Sequence, residues 1–519
     1  MQEIPYLKRV QESTTLMVDD RPFLILGGEL HNSSGSDLQY MEEHVWPALR
    51  QLGGNCYLTP VYWEALEPRR GCYDFALVDG VIEQARRENV RLVLLWFGLW
   101  KNGGSSYVPA WMKQDERYFY MQGQDGRLLE SVSPFCQEAV DADAAAFTAL
   151  MAHLRQTDEQ RTVIMVQVEN EVGVWGHPRD YCPAAEAQFR SEIPAELAQL
   201  YGAAGTWEDA FGLRACEYFM AWALARAVEQ IASQGKAAYP LPLFMNCVPA
   251  GMGVSQLAGS CPSGGPVVRV HEIWRKLAPS IDLYGPDIYT PNFSAIAGAF
   301  AASNALVIPE LGAGADTAAK ALYAAAAYNL VCFSIFGIEG MLSPLSENDF
   351  LAQMNMAMPR PAGNGGLLLL AESYRLLKLL WPEMRKAQAE KRIYAFLQEG
   401  MGSEFVLDDY VVTVQYGNGR PGPGMPPAAG RPEGAVMGGG FILREGADRF
   451  LICGLNCAVQ VRPRYASRDE QVFILEKREM HCRPEGLTPG RMLNGDERNF
   501  LRLGEKPAVQ VLQYYRRTR

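Results

Sequence analysis

The fold of this chain is decided by one repeated pattern, of which residues 162–171, TVIMVQVENE, are the clearest copy. A short apolar run ends abruptly in the polar residues Glu169, Asn170 and Glu171. Because the run does not alternate between apolar and polar residues, it predicts a strand buried on both faces, as in parallel sheets. The stretch therefore indicates a parallel strand whose carboxyl end carries acidic and amide groups.

Similar runs alternate with amphipathic stretches from residue 23 to about residue 380. About eight β-then-α units in about 370 residues predict a (β/α)8 TIM barrel enlarged by insertions. A doubly wound open sheet is the main alternative, and it is disfavoured because residues 27–36, GGELHNSSGS, lack the G-x-G-x-x-G phosphate turn. The predicted strands are residues 23–28, 55–61, 91–97, 162–168, 241–246, 281–284, 305–308 and 331–336, and the predicted helices are 42–52, 78–89, 142–154, 217–233 and 373–380.

The pattern changes after about residue 392, where short runs of β-branched and aromatic residues are separated by turn residues. Such runs predict a small all-β, sandwich-like domain. The expected domains are therefore a barrel at residues 1–385 and a β-domain at residues 386–519. A Gly/Pro-rich tract at residues 417–440 predicts a mobile loop. The predicted strands of this domain are residues 393–398, 404–415, 440–444, 450–455, 471–477 and 509–515.

Composition and charge narrow the expected partners and location. The chain has 48 basic and 59 acidic side chains and a formal charge of −11, so it offers no basic field to collect phosphates. We therefore expect neither a nucleic-acid nor a membrane partner. Residues 1–10, MQEIPYLKRV, lack the apolar stretch of a secretory signal, and no run of about 18 apolar residues follows. Together with eleven scattered cysteines, this predicts a cytoplasmic protein with reduced thiols.

Two carboxylates directly follow predicted apolar strands, Glu171 after the fourth and Glu310 after the seventh. The carboxyl ends of barrel strands meet at one face, so both side chains can reach one pocket. Glycoside cleavage needs such a pair, one carboxyl to protonate the leaving oxygen and one to attack the anomeric carbon. We predict a retaining glycosidase without a cofactor, with Glu171 as acid/base, Glu310 as nucleophile and Asn170 as donor to the sugar 2-hydroxyl. The structural alternative is that each Glu pairs with an Arg or Lys at a barrel rim.

The same stretches resemble known enzymes. Residues 167–173, QVENEVG, resemble the acid/base motif of glycoside hydrolase families 35 and 42, the β-galactosidases of the large (β/α)8 clan, and residues 309–314, PELGAG, resemble their nucleophile motif. Residues 23–32 and 55–71 are similar to the first two strand blocks of family 35. Residues 490–497, GRMLNGDE, resemble the β-domain of a bacterial branch. The resemblance implies an exo-acting β-galactosidase that hydrolyses terminal β-galactosides and assembles as a homo-oligomer.

The resemblance also implies substrate contacts at the strand ends, although core packing is the alternative for each aromatic residue. In family 35 the third strand leads into a Glu-Trp pair that reads galactose hydroxyls, whereas residues 98–104 here are GLWKNGG. Galactose is therefore the leading expectation, with a β-glucosidase, a β-xylosidase, another exo-glycosidase or a catalytically silent glycan-binding protein as alternatives. A metal-dependent hydrolase is disfavoured because His31, His177 and His271 show no ligand spacing. The implied contacts are Glu29, His31, Tyr62, Trp63, Trp96, Trp100, Lys101, Asn102, Asn246 and Tyr289.

Overall fold

The computed structural model describes two compact units. The first comprises Met1–Pro47, Asn55–Leu311 and Val331–Gly337, and the second comprises Ala48–Gly54, Gly312–Leu330 and Ile338–Arg519. The predicted domain boundary at residues 385/386 stays a prediction. The described residues are 3–10, 13–249, 257–259, 262–341, 365–400, 402–407, 409–417, 435–464, 470–499 and 501–518.

The elements of the first unit are strands and helices that follow one another along the chain, with two additional groups of antiparallel strands. The strands are β1 (Tyr6–Val10), β2 (Ser13–Val18), β3 (Arg21–Pro22), β4 (Ile25–Leu26), β5 (Cys56–Tyr62), β6 (Arg91–Lys101), β7 (Tyr120–Gln122), β8 (Leu128–Val132), β9 (Val163–Asn170), β10 (Leu243–Cys247), β11 (Leu283–Pro286), β12 (Leu306–Ile308) and β13 (Leu330–Phe333). The helices are α1 (Leu38–Tyr40), α2 (Trp46–Leu52), α3 (Trp63–Leu66), α4 (Ala76–Arg87), α5 (Ala110–Lys113), α6 (Gln137–Thr157), α7 (Pro183–Phe189), α8 (Ala195–Tyr201), α9 (Trp207–Phe211), α10 (Ala215–Ala238), α11 (His271–Leu277) and α12 (Phe293–Ala301).

The eight predicted strands of the first region correspond to β4, β5, β6 and β9–β13. They form two sheets, in the orders β11-β10-β9-β6-β5 and β12-β13-β4. Backbone hydrogen bonds link the margins of these sheets. Leu58 N donates to Gly28 O at 3.0 Å on one side, and Ile288 N donates to Glu310 O at 2.9 Å on the other. The paired registers are parallel, so the carboxyl ends of these strands point the same way.

The core of the first unit lies among these strands. Their buried apolar side chains form one cluster, to which Val93, Leu95, Ile164, Phe244 and Val307 contribute. The strands are buried over nearly their whole length, which explains why the sequence shows continuous apolar runs rather than alternation.

The structure corrects some sequence-based bounds. The predicted helix at residues 42–52 is a π-helical turn, Met41–Val45, followed by α2, and Trp46 N donates to Met41 O. Pro47 has no N–H to continue an α-helical ladder, which accounts for the irregular turn before it. The predicted first strand at residues 23–28 is shortened to β4. The hairpins β1–β2–β3 and β7–β8 were not predicted.

The described residues of the second unit beyond residue 311 form two α-helices and an antiparallel β-domain, which confirms the all-β prediction for the C-terminal region. The helices are α13 (Thr317–Ala327) and α14 (Gly365–Ala389), the latter longer than the predicted 373–380. Its two sheets have the orders β14-β17-β18-β23-β20-β21 and β15-β16-β19-β22. The strands are β14 (Ile393–Leu397), β15 (Gly402–Leu407), β16 (Tyr410–Tyr416), β17 (Gly439–Gly446), β18 (Arg449–Leu455), β19 (Cys457–Pro463), β20 (Glu470–Arg483), β21 (Gly486–Met492), β22 (Leu501–Leu503) and β23 (Ala508–Thr518).

The single strand predicted at residues 404–415 is wrong. It is the hairpin β15–β16, in which Leu407 pairs with Tyr410, and the apolar run continues across the turn so that periodicity does not reveal the break. The strand β21 was missed because Pro489 argues against a strand, but β21 lies at a sheet edge where proline is tolerated. Most of the Gly/Pro tract, residues 418–434, lies outside the described residues.

Two further findings concern membrane-spanning helices and the state of the cysteines. No described helix has both the length and the apolar character needed to cross a membrane. The described cysteines are all free thiols, and most are buried.

Candidate active site

Glu310 lies just beyond β12, at the carboxyl end of the parallel strands, and three neutral donors hold its carboxylate. Asn170 Nδ2 and Asn246 Nδ2 donate to Glu310 Oε1 at 3.3 and 3.1 Å. Tyr289 donates its hydroxyl to Glu310 Oε2 at 2.7 Å. The side chain is only 4 % exposed. Both oxygens are therefore fixed in position without an ion pair among these donors.

Glu171 follows β9 and faces the same pocket. Its backbone N–H donates to Asn246 Oδ1 at 2.9 Å, and its φ of 44° lies in the left-handed region that non-glycine residues rarely adopt. Burial, and after it the negative charge of Glu310, raise the pKa of Glu171 to about 7, while the ammonium of Lys101 acts in the opposite direction. Glu171 can therefore hold a proton at neutral pH.

Asp287, just beyond β11, is a third carboxyl of the pocket, and it was not predicted from the sequence. Asn246 Nδ2 donates to Asp287 Oδ2 at 2.8 Å. Burial, then the charges of Glu310 and Glu171, raise the pKa of Asp287 well above its ordinary value. The sequence feature that could have identified Asp287 is its position three residues after the predicted sixth strand, in residues 285–289, GPDIY, where only Tyr289 was predicted as a contact.

The three carboxyls of Glu171, Asp287 and Glu310 each place one oxygen within 4.8 Å of the other two. Among the described residues, this is the only group of acidic, His or Cys side chains close enough together to hold a metal ion. Oxygen-only ligands of this kind suit a hard divalent cation rather than zinc. No described histidine or cysteine joins the group.

Glu29, beyond β4, is a fourth buried carboxyl. No N–H or hydroxyl donor of the described residues reaches either of its oxygens, although a carboxyl hydrogen bond with Glu310 contributes to its raised pKa. Burial raises the pKa of Glu29 well above its ordinary value, and the charges of Glu310 and Glu171 add to this, while Lys101 opposes it. A buried carboxyl without such a donor is costly, so Glu29 is poised to meet a polar group of a ligand.

The ammonium group of Lys101 opposes the rise in the pKa of Glu29 and of Glu171. Lys101 Nζ donates to Asn170 Oδ1 at 2.9 Å and to Asn102 Oδ1 at 2.7 Å. The backbone of Lys101 and Gly104 exchanges two hydrogen bonds, which closes a tight turn in which Asn102 has a φ of 52°. The structure thus brings Lys101 and Asn102 together with Asn170, where family 35 would carry a Glu-Trp pair.

The tryptophans that were predicted as substrate contacts are buried in the core. The indole N–H groups of Trp63, Trp96 and Trp100 donate to Glu67 Oε2 at 2.7 Å, Asp143 Oδ1 at 2.8 Å and Val132 O at 3.0 Å. All three rings are fully buried. Core packing accounts for them, and their role as substrate contacts stays a prediction. The same holds for Tyr62, which packs within the strand core against Phe97 and Tyr107.

Two further rings lie in loops at the carboxyl ends of the strands. His31 is half-buried and packs edge-on against Phe336 with the ring centroids 5.5 Å apart. Trp175, in the loop after β9, is 42 % exposed and was not predicted as a site residue. It rests on Gly103, where an added Cβ would lie 2.0 Å from Trp175 Cδ1, so only glycine fits beneath the indole. The sequence feature that could have identified Trp175 is its position four residues after Glu171.

Comparisons with known proteins give two family matches and one curated relative. The model of "Glycosyl hydrolases family 35" matches residues 15–215, and that of "Domain of unknown function (DUF5597)" matches residues 370–504. A β-galactosidase of Xanthomonas manihotis is 27% identical over 187 residues, which cover 34% of this chain and 28% of that relative. The chain thus spans well under half the length of this curated relative.

Two solved structures align with the chain at low sequence identity. A β-galactosidase from Bacillus circulans sp. alkalophilus aligns with 94% of this chain and 99% of its own, at 12% identity and a TM-score of 0.51. A β-galactosidase from Marinomonas ef1 aligns with 70% of this chain and 61% of its own, at 13% identity and a TM-score of 0.46. At this identity the first likeness concerns the fold alone.

The predicted resemblance to family 35 is therefore confirmed; the matched residues include the Glu171 motif, whereas the Glu310 motif lies outside them. The match to the family 35 model lies in the N-terminal part of the chain, and the relative that matches at 27% identity is a β-galactosidase. The C-terminal β-domain has a family match of its own, without an assigned function.

Proposed function

We propose that the chain is a retaining exo-β-glycosidase on a (β/α)8 barrel that hydrolyses terminal β-galactosides. The barrel is supported by the order of the parallel strands, since hydrogen bonds link β4 to β5 and the segments after β11 and β12 to each other. It is also supported by the likeness in fold to the Bacillus circulans protein. The antiparallel β-domain of the second region would then be an accessory domain.

The observation that carries the proposal is the contrast between Glu171 and Glu310. Glu171 has a pKa raised to about 7, and Glu310 is held by three neutral donors. One oxygen of each lies within 4.8 Å of the other. Retaining enzymes hold the carboxyls about 5–5.5 Å apart, whereas inverting enzymes need about 6.5–9.5 Å to admit water. The spacing supports a direct attack by Glu310.

The proposed reaction has two steps. Ionised Glu310 attacks the anomeric carbon while protonated Glu171 gives its proton to the departing glycosidic oxygen, and a covalent glycosyl-Glu310 intermediate forms. Glu171, now ionised, then removes a proton from the water that attacks the same carbon. This releases the sugar with its configuration retained and restores both carboxyls.

The surrounding groups support binding of a neutral sugar. Asn170 Nδ2, already directed at Glu310, is the proposed donor to the 2-hydroxyl. No N–H or hydroxyl donor of the described residues reaches the Glu29 oxygens or Asp287 Oδ1, and sugar hydroxyls can supply such donors. A site with four buried carboxyls and one lysine disfavours an anionic sugar. The names of the related proteins favour galactose as the sugar. Lys101 and Asn102, rather than a Glu-Trp pair, would then contact its hydroxyls.

Substitution of the two glutamates tests the chemistry. E310Q is expected to abolish turnover, because no nucleophile remains. E171A is expected to lower kcat by about 10²–10⁴-fold, the usual contribution of a general acid–base group. Azide should restore turnover in E171A by entering the space of the lost carboxyl, giving a glycosyl azide of retained configuration. Both rates are measured with an aryl β-glycoside. Wild-type rates in both variants would contradict the assignment.

A panel of aryl glycosides tests the sugar. We expect the highest kcat/KM for the β-galactoside and lower values for the β-glucoside and β-xyloside. A preference for either of the latter would show the predicted sugar to be wrong, while the proposed two-carboxylate reaction would still hold.

Binding by calorimetry without any turnover would favour a silent glycan-binding protein. Loss of activity on chelation would favour a metal-dependent hydrolase.

The pH profile tests the role of Glu171. For a substrate with a poor leaving group, kcat/KM should fall about tenfold per pH unit above about pH 7, because the acid loses its proton there. A dinitrophenyl glycoside, whose leaving group needs no proton, should show no such fall. E171Q should lose the difference between the two substrates. An identical alkaline fall for both substrates in the wild type would contradict the assignment.

We further propose a cytoplasmic location and a homo-oligomeric assembly. Light scattering that shows only a monomer at micromolar concentration would contradict the latter.

A further inference from the structure

Asp143, on α6, and Glu169, at the end of β9, form a second pair of acidic side chains that the proposed reaction does not use. Both are completely buried. The Leu99 N–H points at both groups, 2.8 Å from Asp143 Oδ2 and 3.3 Å from Glu169 Oε1. An ideal Cβ on Gly98 would lie 2.5 Å from the first of these oxygens and 2.6 Å from the second. The two carboxyls therefore meet at one point beneath residue 98.

Only neutral groups donate to this pair within the described part of the chain. The donors to the two carboxyls are the Leu99 N–H, the Trp100 N–H at 2.6 Å and the Trp96 indole N–H at 2.8 Å. No described lysine, arginine or histidine donates to either group. The carboxyl of Glu67, which receives the Trp63 indole N–H at 2.7 Å, also acts on the pair and would only add negative charge. Two adjacent ionised carboxylates in this environment would be very costly.

A shared proton removes that cost. Burial, followed by the charge of Asp143, raises the pKa of Glu169 well above its ordinary value. Burial also raises the pKa of Asp143, while a hydrogen bond from Glu169 acts in the opposite direction. The hydrogen bond thus raises the pKa of Glu169 and lowers that of Asp143, which agrees with protonated Glu169 donating to ionised Asp143. One proton is then taken up from water on folding and held between the two groups.

We propose that Asp143 and Glu169 share one proton and together act as positioning residues for the proposed active site. The pair fixes the backbone of Leu99 and Trp100, directly before Lys101 and Asn102. Glu169 itself has a φ of 58° and directly precedes Asn170 and Glu171. Its carboxyl thus ties the end of β9 to the end of β6, the two segments that bring Lys101 to Asn170. The absence of a side chain at Gly98 leaves room for the two carboxyls to meet.

The test compares E169Q and E169A with the wild type and with E83Q, a control that changes an exposed glutamate of α4. In E169Q an amide N–H can replace the shared proton and Trp100 N keeps an acceptor, whereas E169A removes both. The inference concerns positioning for the proposed glycosidase, so it rests on that proposal for its activity readout. Infrared spectra and stability against pH do not depend on activity.

The infrared spectrum at neutral pH should show a protonated-carboxyl band that is smaller in E169Q than in the wild type and unchanged in E83Q. Wild-type stability should also fall as pH rises from the ordinary Glu pKa of about 4.3 toward the raised value, because the folded state then holds a proton that the unfolded state has lost. E169Q should show a shallower fall in Tm over this range. An unchanged band and slope in E169Q would overturn the shared proton.

The activity readout separates positioning from simple stability. E169A is expected to lower kcat at least tenfold below its melting temperature with a smaller change in KM, and E169Q to regain at least tenfold over E169A. Equal kcat values in E169A and the wild type would overturn the positioning role. A wild-type protein that hydrolyses no glycoside would remove the proposed function and the positioning role with it, while the infrared and stability results would still decide whether the proton is shared.

Discussion

The side-chain amide of Asn246 is the contact on which the arrangement of the pocket depends. Its oxygen accepts the backbone N–H of Glu171, and its nitrogen donates to Glu310 and to Asp287. One neutral group thereby holds three acidic residues that come from the ends of three different strands. Because an amide offers both a donor and an acceptor, it can do this without adding a charge that would neutralise the carboxyls.

The consequence of this packing is electrostatic. Carboxyls crowded into a buried site cannot all ionise, so some of them must hold protons. The structure divides them accordingly, with the pKa of Glu29 and Asp287 well above the ordinary value and that of Glu171 at about 7. Lys101 limits the rise for Glu29 and Glu171. A proton donor for neutral pH thus arises from burial and crowding rather than from a special side chain.

The sequence predicted the strands and two acidic residues from a local signal, whereas Glu29 was expected only from the resemblance to family 35. A continuous apolar run indicates a buried strand, and a carboxylate immediately after it is unusual, which singled out Glu171 and Glu310. Asn170 was predicted as a donor to the sugar 2-hydroxyl, and the resemblance to family 35 implied Asn246 and Tyr289 as substrate contacts. All three hydrogen-bond to Glu310 or Glu171.

Other features had no local signal. Asp287 matters through its distance to residues far away in the sequence, and Asp143 is one acidic residue among several on α6 until Glu169 is placed beside it. The hairpin β15–β16 was predicted as one strand because its turn interrupts no apolar pattern. Trp63, Trp96 and Trp100 show the reverse, since an aromatic residue near a strand end looks the same whether it faces a ligand or the core.

The central claim is that Glu310 becomes covalently bonded to the sugar, and a mechanism-based label tests it most directly. The protein would be incubated with a 2-deoxy-2-fluoro-β-galactosyl fluoride, which forms the intermediate quickly and releases it slowly, then digested and sequenced by mass spectrometry. We predict one fluorosugar on the peptide that contains Glu310, located at that residue. A label on Glu171, Asp287 or Glu29, or rapid turnover of the reagent to a sugar of inverted configuration, would contradict it.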